Sequence, residues 1–147
     1  MFKFTSAVDS SLLTENQFEF AQMQNGNVWI LSKRSHLIWK ARLDDLQDRR
    51  GGSAKTQEVD EDILKRKPIK KMYVDPRGLH CFFLAEHEIY YNNWGSNRVY
   101  QVQTRVGGDS SVNSQPKTFR SIDIQYVSQS DFDTFEVLLG TEDGQIY

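Results

Sequence analysis

A single cysteine, Cys81, stands in a chain of 147 residues, so no disulfide can form within it. Small secreted domains offset thin cores with several cross-links; a chain without them fits a reducing compartment. Long apolar runs are missing as well. No stretch approaches the roughly 20 residues that span a bilayer as a helix. The start, MFKFTSAVDSSLLTENQF, lacks the roughly 7–15 apolar residues of a signal peptide. A soluble, cytoplasmic chain is expected. Charge of one sign is also lacking: 18 Lys and Arg face 20 Asp and Glu. No global field draws such a chain to nucleic acid or to an acidic membrane.

Signatures of catalysis are equally scarce. There is no G-x-S-x-G element, and serines collect in polar tracts such as GGDSSVNS (107–114). Gly51-Gly52 and Gly107-Gly108 precede no helix-like segment, so neither suits a phosphate cradle. The acidic residues of VDEDILK (59–65) fall in an expected loop. Paired carboxylates do acid–base work only where burial or like charge separates their pKa values, and a solvated run provides neither. His80, Cys81 and His87 form the one candidate metal set, because transition metals take nitrogen and sulfur ligands. His80 and Cys81 are strand neighbours, which point to opposite faces, and His87 lies in a turn. Cys81 then reads as a small buried hydrophobe on the inner strand of its unit. No catalytic residue, metal, cofactor or small-molecule substrate is expected.

Aromatic residues are abundant: nine Phe, six Tyr and three Trp, which favour sheets. One domain with its own core is the natural reading of this length. After a polar leader (1–17), FEFAQM (18–23), Asn25-Gly26, NVWILSK (27–33) and HLIWKARL (36–43) read as a three-stranded meander. A charged, glycine-containing loop (44–67) follows, with a short fourth strand expected near Thr56–Val59. The pattern restarts at IKKMYV (69–74) and the turn Asp75-Pro76-Arg77-Gly78, whose Asp, Pro and Gly suit positions one, two and four of a type I turn. HCFFLA (80–85), EIYYNN (88–93) and NRVYQVQ (97–103) continue it, and a second polar loop (104–117) closes it. SIDIQYV (121–127), FEVLLG (135–140) and QIY (145–147) begin a third cycle. Asp143-Gly144 suits a type I′ turn, with φ > 0 at both residues.

The repeat carries the fold prediction. First strands begin at Phe18, Ile69 and Ile122, and third strands carry Ile38, Ile89 and Ile146. A four-stranded unit recurring every ~40–50 residues marks β-propeller blades. A single β-sandwich is the competing reading, because its strands also alternate with turns every ~8–12 residues. The long polar loop after each set of strands favours blades. The expected fold is therefore all-β: a β-propeller fragment of about two and a half to three four-stranded antiparallel blades (roughly 18–60, 69–103 and 121–147). Because propellers close with roughly four to eight blades, the third is expected to be incomplete at the C-terminus.

With these elements in place, KPIKKMYVDPRGLHCFFLAEHEIYYNN (67–93) resembles a segment of the vacuolar protein sorting-associated protein 18 family, also called the deep orange family. The matching positions are Lys71, Met72, Asp75, Gly78, His80 and Tyr90/Tyr91. VLLGTEDGQIY (137–147) resembles a later element of that family through Gly140, Thr141, Gly144 and Ile146. The resemblance covers about residues 18–147 in order and spacing. It implies an N-terminal β-propeller in a core subunit of the HOPS and CORVET complexes, which tether membranes before fusion at endosomes, lysosomes and vacuoles. The family's helical solenoid and zinc-binding ring-type finger do not lie in this sequence, so nothing done through them carries over.

What the resemblance implies is a non-catalytic, peripheral role on late endosome, lysosome or vacuole membranes, in contact with other tethering-complex subunits and without nucleic acid. An enzyme with catalytic groups in blades outside this sequence, and a nuclear or nucleic-acid-associated propeller, are the rivals. Candidate partner contacts are Trp94, in the turn-like NNWGSN, and Lys65, Arg66 and Lys67 of KRKPIKK (65–71). Trp29 and Trp39, on expected strands, read as core. The basic run has a plainer reading as the solvated face of a strand, its field partly cancelled by the acidic residues upstream.

Overall fold

The computed structural model describes residues 18–32, 38–44, 57–59, 67–102, 117–128 and 134–147. Among the described residues, ten strands form three antiparallel sheets, each a meander in which chain neighbours pair. The first holds β1 (Phe18–Gln24), β2 (Asn27–Ser32), β3 (Ile38–Arg42) and β4 (Gln57–Val59). The second holds β5 (Lys71–Val74), β6 (His80–Leu84), β7 (Ile89–Asn93) and β8 (Tyr100–Val102). The third pairs β9 (Phe119–Tyr126) with β10 (Phe135–Thr141). The chain then folds back on β10, with Leu139 and Tyr147 exchanging N–H···O bonds of 2.9 Å each way. The leader expected over 1–17 lies outside the described residues.

Side-chain alternation on β6 explains the stacking. All five of its residues are buried, which one covered face cannot achieve. Cys81 and Phe83 join Met72, Val74 and Tyr90 against Trp29, Leu31 and Ile38 of the first sheet. Phe82 and Leu84 join Ile89 against Phe119, Ile122, Ile124 and Leu139 of the third. The second sheet is thus sandwiched between its neighbours. A two-sheet sandwich covers one face of each sheet; successive four-stranded sheets stacked face to face are the β-propeller arrangement.

Local chemistry sets the boundaries. Asn25 and Gly26 take φ of 48° and 74°, the left-handed pair of a type I′ turn. In the next unit Gly78 N–H donates to Asp75 O at 2.9 Å, closing a four-residue turn. The turn at Asp143-Gly144 departs from the expected type I′. Gly144 has φ 80°, but among the described residues Asn25 is the only non-glycine with positive φ. Thr141 is the reason. Its hydroxyl accepts from Gln145 N–H at 3.1 Å and donates to the Asp143 carboxylate, fixing a three-residue loop with one left-handed residue. β8 begins at Tyr100 rather than at the expected 97, because Asn92 Nδ2 donates to Ser96 O (3.1 Å) and Arg98 O (2.7 Å), holding that stretch in a turn.

Candidate functional site

The β1–β2 and β5–β6 turns lie side by side at one end of the stack, and side chains from the first sheet stitch them together. Asn27 Nδ2 and Trp29 Nε1 both donate to Gly78 O, at 3.1 and 3.0 Å. Asn25 Nδ2 reaches Arg77 O at 3.4 Å. A Cβ on Gly78 would collide with Gln24 O, so this close approach needs glycine. Deeper in the seam, Gln22 exchanges two bonds with the Val74 backbone: Val74 N–H to Oε1 at 3.0 Å, and Nε2 to Val74 O at 3.4 Å.

Lys40 on β3 is the most unusual group. Only 1% of it is exposed, and its ammonium donates to Asn92 Oδ1 (3.2 Å) and to the carbonyls of Asn93 (3.0 Å), Trp94 (2.9 Å) and Ser96 (2.8 Å). The Trp29 ring lies 5.2 Å from Nζ and the Trp94 ring 6.0 Å, and the two rings meet edge-on at 5.5 Å. Burial pushes the Lys40 pKa down to about 8. Such a value suits a general base, but a side chain walled in by four oxygens and two indoles meets no substrate. Lys40 clamps one sheet to the turn of the next.

Asp75 plays the corresponding part at the following seam. Fully buried, its carboxylate accepts from the backbone N–H groups of Arg77 (2.9 Å), Leu79 (2.7 Å) and His80 (2.6 Å), and from the Tyr126 hydroxyl. Tyr73 O–H donates to Asp123 at 2.7 Å across the same seam. Burial, then the bond to Asp123, pushes the Tyr73 pKa up to about 12. His80 faces this seam, 4.5 Å from the Phe135 ring and 2.8 Å from the Tyr91 hydroxyl. Cys81 faces the other, where burial pushes its thiol pKa well up. His87 is exposed in its turn, so the three do not converge. Among the described residues no group of three or more His, Cys, Asp or Glu could hold a metal ion.

Trp94 is half-buried, its ring packed on Trp29, so its contact surface is smaller than its turn position suggests. Lys67 is exposed and pairs with Glu88 at 3.3 Å, while Lys65 and Arg66 lie outside the described residues. Pro76 is exposed at the tip of its turn. The same turns wall an open cleft of about 670 Å³ between the first two sheets, lined by Asn25, Asn27, Arg42, Asp44, Arg77 and Leu79 among others. Sequence reasoning missed Lys40 and this pair of arginines. Lys40 had a local signal: it shares a strand face with Ile38, the core side. Arg42 and Arg77 had none, because only stacking brings them to one cleft.

The described residues form a stack of sheets joined one repeat apart by buried polar clamps. Residues 13–147 match the family model described as the Pep3/Vps18/deep orange beta-propeller domain. The chain belongs to this family. Membership implies a structural role in vacuolar-sorting tethering machinery, exercised through protein–protein contacts. Comparison with curated proteins found no match.

Proposed function

We propose that the chain is the propeller portion of a non-catalytic subunit of a HOPS/CORVET-type tethering complex, acting in vesicle docking and fusion and in intracellular protein transport. The observation that carries this reading is the family match across residues 13–147. In this reading the blades span roughly 18–60, 69–103 and 121–147 and act as a rigid platform. The protein works at the cytoplasmic side of late endosome, lysosome or vacuole membranes, held there peripherally through its complex. No helix among the described residues is long and apolar enough to cross a membrane, which supports peripheral attachment.

Recognition falls to the inter-unit loops at 44–67 and 104–117, with Lys65, Arg66, Lys67 and the open part of Trp94 beside them. Loops held on a rigid scaffold commonly carry binding, although length alone is inexpensive in a loop. Affinity purification of the full-length protein tests the assignment: other tethering subunits and endolysosomal membranes should be recovered with it. Replacing each loop with a Gly/Ser linker tests the contacts, which predict lost partner recovery with normal folding. Full-length protein confined to the nucleus, with no tethering subunit bound, contradicts the assignment.

A further inference from the structure

The first sheet turns a second apolar face away from its neighbour. Trp29, Leu31, Ile38 and Lys40 point to the second sheet, and Phe20 and Gln22 do so on β1. Alternation therefore sends Ala21, Met23, Val28, Ile30, Trp39 and Ala41 the other way. Strand pairing sets these six in two rows: Ala21 beside Ile30 beside Trp39, and Met23 beside Val28 beside Ala41. Met23 is 56% exposed, Ala21 is exposed, and Val28, Ile30 and Trp39 are half-buried. A contiguous apolar patch of this kind marks a contact surface.

The second sheet shows what such a face is for. Its rows Met72–Phe83–Tyr90 and Val74–Cys81–Asn92 hold the same strand positions one repeat later, and none of the six is more than 7% exposed. They lie against the first sheet, chiefly Trp29, Leu31 and Ile38. A second copy stacked head to tail would not serve the first sheet in this way. The third sheet turns its rows Asp123–Leu138 and Gln125–Glu136 outward, and these are exposed and mostly polar. Setting an apolar face on them would bury polar groups without partners.

We propose that the outer face of the first sheet receives the closing blade of the same propeller, a sheet of the full-length protein outside residues 1–147, and that the ring closes there by packed side chains. The first sheet takes its four strands from one meander, so the closing blade adds no strand to it. The occupying face carries large apolar side chains on its second and third strands, as Trp29, Leu31 and Ile38 do where they cover the equivalent rows. The inference rests on the propeller fold and the family match, and it is independent of which tethering complex the chain serves.

Maleimide labelling of the full-length protein, purified free of other subunits and read peptide by peptide by mass spectrometry, tests it. Met23→Cys probes the face, and Glu86→Cys, in the exposed β6–β7 turn, sets the rate of an open site. Cys81, buried at the first seam, reports unfolding, and Ala21→Cys repeats the measurement should Met23→Cys make Cys81 reactive. Met23→Cys should react at least about tenfold more slowly than Glu86→Cys, because the reagent must wait for the seam to open. Dilution should not change that protection, and neither should deletion of residues 1–17. Equal rates at the two sites overturn the proposal, since a face left open in the isolated subunit is not a closed seam. Protection lost on dilution also overturns it, by giving the face to a second copy. Protection lost with residues 1–17 does the same, by giving it to the leader.

Discussion

The two seams of the stack solve one geometric problem with different chemistry. Between the first and second sheets, polar and directional contacts run beside the apolar core: the Gln22–Val74 pair, Asn27 and Trp29 on one carbonyl, and Lys40 on four oxygens. Between the second and third, rings dominate, with His80, Phe82, Tyr91 and Tyr126 around Phe135 at centroid distances of 4.5 to 6.4 Å. Both seams join residues about one repeat apart, 52 positions for Gln22 and Val74 and 50 for Tyr73 and Asp123. The repeat decides which positions meet. It leaves open whether they meet as hydrogen bonds or as packed surface. A polar clamp allows one register, whereas an aromatic cluster tolerates changes of shape.

If that contrast is right, conservative changes should separate the seams more clearly than deletions do. Phe82→Ala, which empties a fully buried site at the aromatic seam, should cost about 4 kcal/mol in urea unfolding followed by tryptophan fluorescence. Phe82→Leu should cost only about 1 kcal/mol, because an apolar side chain still fills most of the space. Lys40→Met also roughly conserves shape, yet it should cost about 3 kcal/mol, since it strips the donor from Asn92 Oδ1 and three carbonyls. Equal tolerance of Phe82→Leu and Lys40→Met would erase the distinction. Cys81→Ser, at the polar seam, should cost about 1–3 kcal/mol through a buried hydroxyl and leave metal content unchanged. Zinc bound stoichiometrically to the protein and lost in that variant would contradict a purely packing role.

The smallest effect is the part of the pH dependence that the aromatic seam carries above pH 10. Burial and the bond to Asp123 raise the Tyr73 pKa to about 12, and burial with the Asp75 bond raises that of Tyr126. The folded state therefore holds these protons more tightly than the unfolded chain does. Their contribution is full below pH 10, the ordinary tyrosine value, and is lost as pH rises from about 10 to about 12. Stability measured across that window should fall, and Tyr73→Phe should shallow the fall. An unchanged slope in the variant would show that Tyr73 is not a contributor.

Much of the architecture was legible because its signals are local. Asn25-Gly26 specifies a tight hairpin in its own four residues, and Asp75 with Gly78 specifies the next one. The recurrence of such units gave the propeller. What failed depended on partners elsewhere. The Asp143 turn was misread because the Thr141 hydroxyl, outside the two-residue motif, decides its geometry. Trp94 looked like an open turn residue because the ring that covers it belongs to the preceding unit. Lys40 finds its acceptors 52 to 56 positions away, beyond any window a strand pattern uses. The Arg42–Arg77 cleft exists only in the stack.

The central claim is that consecutive four-stranded meanders stack face to face, the second buried on both sides. Electron cryo-microscopy of the full-length protein, at a resolution that shows side chains, tests it most directly. The account predicts β5–β8 lying between β1–β4 and the β9–β10 sheet, with Lys40 Nζ on the carbonyls of the 93–96 turn and Phe82 against Phe135. A two-layer sandwich, with one face of β5–β8 open to solvent and Lys40 away from that turn, would contradict it.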